Sequence, residues 1–397
     1  MPRHLGWRDA ARFRDEPPSK GLMRFMAPAN DFRSLREAAD WYDNWLRMHA
    51  LPLWWKVGAD HVGGGFLEAL SLEGEPRPAP RRARVQGRQI FAYALAGMMG
   101  WDGPWREAAW HGLDYMLAHF QREDGLIRTL VGLDGEPIDE TAMLYDQAFA
   151  ILGLATLHRV DPGRIDLVAE GDKIRQGLQS MRHVHGGFRE NIAQPFQANA
   201  HMHLLEAAMA WGEAGEASWD AMADEIVKAA LTTFIDPAGG FLREFFDEEW
   251  RPAAGDEGRL VEPGHQFEWA WLLERWGRQR GRGDARAVAR RLFAIGRKGV
   301  DPVRRVAVNE LWDDLTLRDG TARLWPQTEH LKAALILDDL DAALEAANGL
   351  RRYLETPCLG VWRDKMNADA SFQEGLAPAT SLYHLITACK SLADSQA

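Results

Sequence analysis

The chain has 397 residues, 46% of them hydrophobic and 26% charged, with a formal net charge of -11. That balance is enough to bury a large core and excludes a basic surface of the kind that binds nucleic acid or anionic membrane. Two cysteines, Cys358 and Cys389, cannot build a disulfide framework, and no apolar run reaches the length of a membrane span.

Residues 1–30 are charged throughout and lack the apolar stretch of a secretory signal, so they read as an N-terminal arm, disordered, on a cytoplasmic protein. Beyond them, apolar residues recur at i, i+3, i+4 and i+7 over 35–51, 89–99, 105–121, 142–158, 165–181, 200–212, 218–234, 266–278, 285–299, 329–337, 340–353 and 379–392. Twelve helices in six pairs, without a long strand run or a Gly/Pro/Ser linker, predict one domain over 31–397. The expected fold class is all-α, a closed six-hairpin (α/α)6 barrel with short β-hairpins or loops at one end. An open helical solenoid is the alternative, but the repeat stops at the C-terminus without a polar capping unit.

A glycine motif runs between the helix pairs: Gly64-Gly65-Phe66, Gly125-Leu126, Gly186-Gly187-Phe188, Gly239-Gly240-Phe241 and Gly360-Val361-Trp362. A degenerate member is expected near 306–310. Short alternating stretches such as Phe66-Leu67-Glu68-Ala69 and Phe241-Leu242-Arg243-Glu244 follow the glycines and predict brief strands or extended loops.

Six polar residues, Arg88, Asp146, His203, His265, Glu329 and His384, recur about sixty positions apart, each near the start of a helical pattern. Equivalent elements present their ends together, so these side chains are expected around the axis at one mouth of the barrel, with His203, His265 and His384 facing a shared cavity. Positive helix N-termini would hold the imidazoles neutral and steady an enediolate. Glu268, three residues after His265, would orient that imidazole. Asn199 is a candidate N-cap for the helix of His203. Tyr145 adjoins Asp146, and Arg88 suits a substrate oxygen. Trp54-Trp55, Trp269-Trp271 and Trp325 suit stacking on sugar faces. His111, His119, His158, His201 and His330 read as structural.

Asn199-Ala200-His201-Met202-His203, Glu262-Pro263-Gly264-His265-Gln266-Phe267-Glu268-Trp269, Trp325-Pro326-Gln327-Thr328-Glu329 and Tyr383-His384 resemble the N-acylglucosamine 2-epimerase superfamily. Gln86-Gly87-Arg88 and Leu144-Tyr145-Asp146-Gln147 fit the same pattern, which runs from about 36 to 392 and looks most like its D-mannose isomerase branch. The resemblance implies aldose–ketose isomerisation or 2-epimerisation of a small sugar, without cofactor or metal, by a monomer or homodimer. It makes His265 and His384 the acid/base pair. It assigns Arg88, Asn199, His203, Glu268 and Trp325 to substrate binding or pocket shape, and Tyr145, Asp146 and Glu329 are expected beside them. D-mannose and D-fructose interconverted through a cis-enediolate is the leading expectation. A sugar 2-epimerase, an inverting glycoside hydrolase and a non-catalytic sugar-binding protein are the alternatives. The chain has no H-E-x-x-H pair for a metal and no Gly-rich loop for a phosphate.

Overall fold

Twelve helices arranged as two concentric layers make up the computed structural model, which describes residues 31–396; the arm expected over 1–30 lies outside the described residues. In chain order they are α1 (Leu35–Trp45), α2 (Ala83–Met98), α3 (Trp105–His119), α4 (Leu144–Val160), α5 (Leu167–Gly177), α6 (Ala198–Glu213), α7 (Asp220–Ala229), α8 (Pro263–Arg280), α9 (Gly283–Gly296), α10 (Leu324–Ile336), α11 (Leu340–Arg351) and α12 (Ser381–Asp394). α1 runs on through π-helical and α-helical turns to Gly58.

The even-numbered helices form the inner ring. Each packs on the next, and α12 packs on α2, which closes the barrel. Their composition explains the choice. α4 is apolar nearly all round and buries residues on every face, whereas its outer neighbour α5 buries only Leu167, Gly171 and Ile174. Gly87 and Gly153 allow α2 and α4 to touch backbone to backbone: a Cβ on Gly87 would lie 2.6 Å from the Phe149 carbonyl, and one on Gly153 2.9 Å from the Gly87 oxygen. α1 completes the outer ring against α11 and α12, where the Tyr42 hydroxyl donates to the Ala347 carbonyl at 2.7 Å and the Asn348 side chain receives the Phe32 N–H at 2.7 Å.

Short antiparallel strands gather at the N-terminal ends of the inner helices. Arg81–Arg82, Phe196–Gln197, Leu260–Val261, Ala322–Arg323 and Ala377–Pro378 each lead into an inner helix and pair with a strand from another repeat, Ala377–Pro378 pairing back with Ala69–Leu70. α2, α6, α8 and α10 begin earlier than their apolar period suggests, and in α2 the polar Gln86 and Arg88 are buried in the added turns.

One side-chain device recurs. A glutamine in the first turn of an inner helix grips the backbone just after the glycine turn, its amide oxygen taking the N–H and its NH2 the carbonyl of one residue. Gln86 holds Phe66 at 2.8 and 2.9 Å, Gln147 holds Ile127 at 2.7 and 2.7 Å, Gln266 holds Leu242 at 2.8 and 3.0 Å, and Gln327 holds Ala307 at 2.7 and 2.9 Å. His201 takes this place in α6, its Nε2 accepting the Phe188 N–H at 3.0 Å. The device locates the degenerate glycine motif: two residues before each gripped position stand Gly64, Gly125, Gly186 and Gly240, all left-handed, and before Ala307 stands Arg305 at φ 57°.

Trp54 and Trp269 belong to the core rather than to a sugar-facing wall, Trp54 stacking on Trp362 at 4.9 Å. Cys358 and Cys389 are free, and none of the described helices is long and apolar enough to cross a membrane. Replacing Gln147 by leucine leaves a buried N–H and C=O without partners, and the expected cost is about 2–4 kcal/mol. Urea unfolding would read this as a lower midpoint at unchanged slope.

Candidate active site

The clamp fixes a common register for the inner helices. Two residues beyond it stand Arg88, Phe149, His203, Glu268 and Glu329, and His384 holds the same place in α12, where Leu382 occupies the clamp position. These side chains meet around the axis. The Arg88 guanidinium lies over the Phe149 ring at 4.0 Å, and the Phe149 and His203 rings are 4.6 Å apart. His203 Nδ1 is 3.8 Å from Glu268 Oε1, and His384 Nδ1 is 2.9 Å from Glu329 Oε1. One turn earlier, toward the strand-bearing end, come Tyr145, Asn199 and Trp325. Tyr145 receives a hydrogen bond from Arg88 at 2.6 Å, and its ring meets His203 edge-on at 4.9 Å. Trp325 lies between the two remaining histidines, 5.0 Å from the His265 ring and 5.8 Å from the His384 ring. The three imidazoles are therefore brought to one place.

The two histidines beside Trp325 differ in charge. His384 is buried, and burial together with the Arg88 and Lys332 cations holds its pKa well below the ordinary imidazole range. Burial also opposes charge on His265, but carboxylates outweigh it: Glu244 Oε2 lies 2.8 Å from Nδ1 and Glu262 Oε2 3.6 Å, raising the imidazole to about 10. His265 is thus an imidazolium at neutral pH and His384 a neutral imidazole. This corrects the expectation that helix ends hold every histidine neutral, because two adjacent carboxylates exceed a half-charge dipole. Titratable pairs driven apart in this way divide into acid and base.

Several side chains have roles other than those expected. Glu268 does not reach His265; Glu244 takes that part, and Glu268 faces His203 instead. Burial first, then the Glu329 carboxylate, pushes the Glu268 carboxyl well above its usual range. Asp146 is wholly buried and bound to Arg84, with Oδ1 2.7 Å from Nε, and it stands three residues before Phe149, which holds the place of Arg88 and His203 in α4. Glu329 is held between His384 and the Lys332 ammonium, the latter 2.7 Å from Oε2. Asn199 lies within the first turn of α6 rather than capping it, since the cap is Gln197, and its Oδ1 is buried without a partner. His201 accepts the Phe188 N–H and faces the Gln197 carbonyl, and burial lowers it to about 4.

Glu244, Glu262 and Lys332 lie outside the set that the sequence pattern marks. Glu244 had a signal: the second residue after the gripped position is acidic in several repeats, as Glu68, Glu190 and Glu244. Glu190 uses its carboxylate on the N–H groups of Leu144 and Tyr145, at 2.6 and 2.9 Å, whereas Glu244 turns its own to His265. Among the described residues, three carboxylate–imidazole groups (Glu244/Glu262/His265, His203/Glu206/Glu268 and Glu268/Glu329/His384) bring a nitrogen or oxygen from each member within 4.8 Å of the others. Positive charge is already supplied there by the His265 imidazolium and by Lys332, and the Glu329 oxygens are taken by hydrogen bonds, so the donor set is that of an acid–base network.

Known proteins carry the same plan. A protein of Rhizobium meliloti called mannose-6-phosphate isomerase is 46% identical over 88% of this chain and 95% of its own length. The crystal structure of a D-mannose isomerase superposes with a TM-score of 0.79 at 20% identity, covering 91% of this chain and 97% of that one. Cellobiose 2-epimerase from Spirochaeta thermophila superposes with a TM-score of 0.81 at 21% identity, covering 91% and 97%. The N-acylglucosamine 2-epimerase family model matches residues 64–388, and the chain belongs to that family of (α/α)6-barrel sugar isomerases and epimerases.

Proposed function

We propose that the protein is an aldose–ketose isomerase that interconverts D-mannose and D-fructose, acting in the cytoplasm on the free, open-chain sugar. The observation that carries this reading is the pair of histidines beside Trp325 held in opposite protonation states. Glu329 accepts the Nδ1–H of His384, leaving Nε2 free to remove the C2 proton. Charge then develops on the C1 oxygen, where the His265 imidazolium donates a proton and the Arg88 cation offsets what remains. His384 returns its proton to C1, His265 recovers one from the C2 hydroxyl, and the ketose results. A proton returned to the opposite face of C2 gives the epimer instead. Trp325 supplies a flat wall against the sugar, and Tyr145, Asn199 and His203 supply polar contacts. Neither a hydrolase nor a simple binding module needs this division of protons: inverting hydrolysis uses two carboxylates.

The Rhizobium meliloti relative favours a second reading in which the sugar carries a 6-phosphate. Arg323 suits it: the side chain precedes Trp325 by two residues, is partly exposed, and is only loosely paired with Asp364, whose Oδ2 lies 4.0 Å from Nε, beyond hydrogen-bond distance.

Incubation of the chain with D-mannose in D₂O, followed by NMR, is expected to give fructose, labelled at C1 to the extent that the proton on His384 exchanges with solvent before its return; glucose as the main product would make it an epimerase, and no conversion of mannose would end the reading. His384→Ala and His265→Ala should each lower kcat by about 10²–10⁴-fold in a folded protein. The pH profile of kcat should carry an alkaline limb near 10, where His265 loses its proton. Glu244→Gln removes the carboxylate that raises His265, so that limb should move down by about 1–3 units. Arg323→Ala should raise KM by about tenfold for mannose 6-phosphate and leave mannose unchanged if the ester is the substrate.

A further inference from the structure

Beneath the ring of Arg88, His203, Glu268, Glu329 and His384 lies a second ring, one helical turn deeper: Phe91, Leu152, Glu206, Trp271, Lys332 and Thr387. These six side chains are also the floor of a different space, a cavity of about 630 Å³ that opens between the C-terminal ends of the inner helices, at the far mouth of the barrel. A single layer of side chains thus separates the histidines from a second opening.

Lys332 is the cation in that layer. It is completely buried, its ammonium lies 3.9 Å from the Trp271 ring centre, and it donates to Glu329 Oε2 at 2.7 Å. Glu329 Oε1 faces His384 Nδ1 at 2.9 Å. The surroundings of Glu329 are otherwise demanding. From the neighbouring helices come the carboxyls of Glu206 and Glu268, the imidazoles of His203, His265 and His384, the Arg88 guanidinium, and the Tyr383 hydroxyl, which donates to Glu206. Three carboxyls share this dry space, and an unpaired buried carboxylate takes up a proton.

We propose that Lys332 is a positioning residue for the acid–base step: it keeps Glu329 ionised, and so fixes His384 as the Nδ1–H tautomer with Nε2 open to the substrate. Without the ammonium, Glu329 becomes a carboxylic acid. Its O–H then donates to His384 Nδ1, the imidazole proton moves to Nε2, and the atom that should accept the C2 proton already carries one. Burial holds the Glu329 carboxyl above its usual range, and Lys332 is the largest of the causes that lower it. The inference rests on the isomerase reading for its catalytic consequence, but the tautomer it assigns is a property of the free protein.

The test uses the full chain. In ¹⁵N NMR without substrate at neutral pH, His384 should carry its proton on Nδ1 in the parent and on Nε2 in Lys332→Met. With D-mannose, Lys332→Met should lower kcat by about 100-fold, with KM changed less than about threefold and the acidic limb of the kcat profile moved upward. Lys332→Ala opens a hole onto the far cavity, and methylammonium or ethylammonium should restore at least about tenfold of the lost kcat. The pair Lys332→Met/Glu329→Gln removes both charges together, so it should fold, stay slow and gain nothing from either amine. If Lys332→Met does not fold, Lys332→Ala with and without ethylammonium gives the same two readouts. A His384 that keeps its proton on Nδ1 in a folded variant of normal kcat, or a folded Lys332→Ala that neither amine revives, overturns the proposal. If the parent turns over no hexose, the isomerase reading fails on its own, and the NMR arm still decides the role of Lys332.

Discussion

The glutamine clamp is the interaction on which the rest of this structure depends. A glycine turn delivers an extended segment to the mouth of the barrel, and its buried N–H and C=O need partners. An amide side chain in the first turn of an inner helix meets both needs at once, and so ties the axial position of that helix to the loop beside it. Because four helices use glutamine and α6 uses His201, residues two positions farther on arrive at the same height. Six helices from distant parts of the chain can then place one side chain each in a ring around the axis.

The amount that could be read from sequence follows from that mechanism. Hydrophobic periodicity and the repeated glycines make the six-hairpin barrel visible, since both report local requirements of the backbone. The approximate spacing of the polar residues also points to one mouth. It does not separate positions a few residues apart, which on a helix stand at different heights and point in different directions. Asp146 therefore looks equivalent to His203 but faces Arg84, while Phe149, which occupies the equivalent place, carries no polar signal. The partner of His265 is hidden for another reason. Glu268 is a neighbour on the same helix, whereas Glu244 arrives from an extended segment across the mouth, and only the tertiary structure brings it to 2.8 Å. Lys332, inside a helix with apolar neighbours, looks like a surface cation until its burial is seen.

Charge in the barrel is distributed in a way that apolar packing alone would not need. Two carboxylates hold His265 as a cation, while an arginine and a lysine help to keep His384 neutral. Each of these pairs would be costly if one partner were removed. The burial of both histidines makes their charges sensitive to such neighbours, since a low local dielectric lengthens the reach of every charge. The site's chemistry is thus written less in the two imidazoles than in the groups behind them.

The ring is closed by the packing of α1 on α12 and α11 rather than by any bond along the chain. Phe32 and the last helix consequently lie on neighbouring parts of the barrel. Cutting the polypeptide at an exposed loop tip between two other hairpins, and joining the last helix to Phe32 by a flexible linker, would preserve every helix contact and every member of both axial rings. The order in which the hairpins are synthesised is in that sense a convention, and circular permutants of this barrel are open to protein engineering.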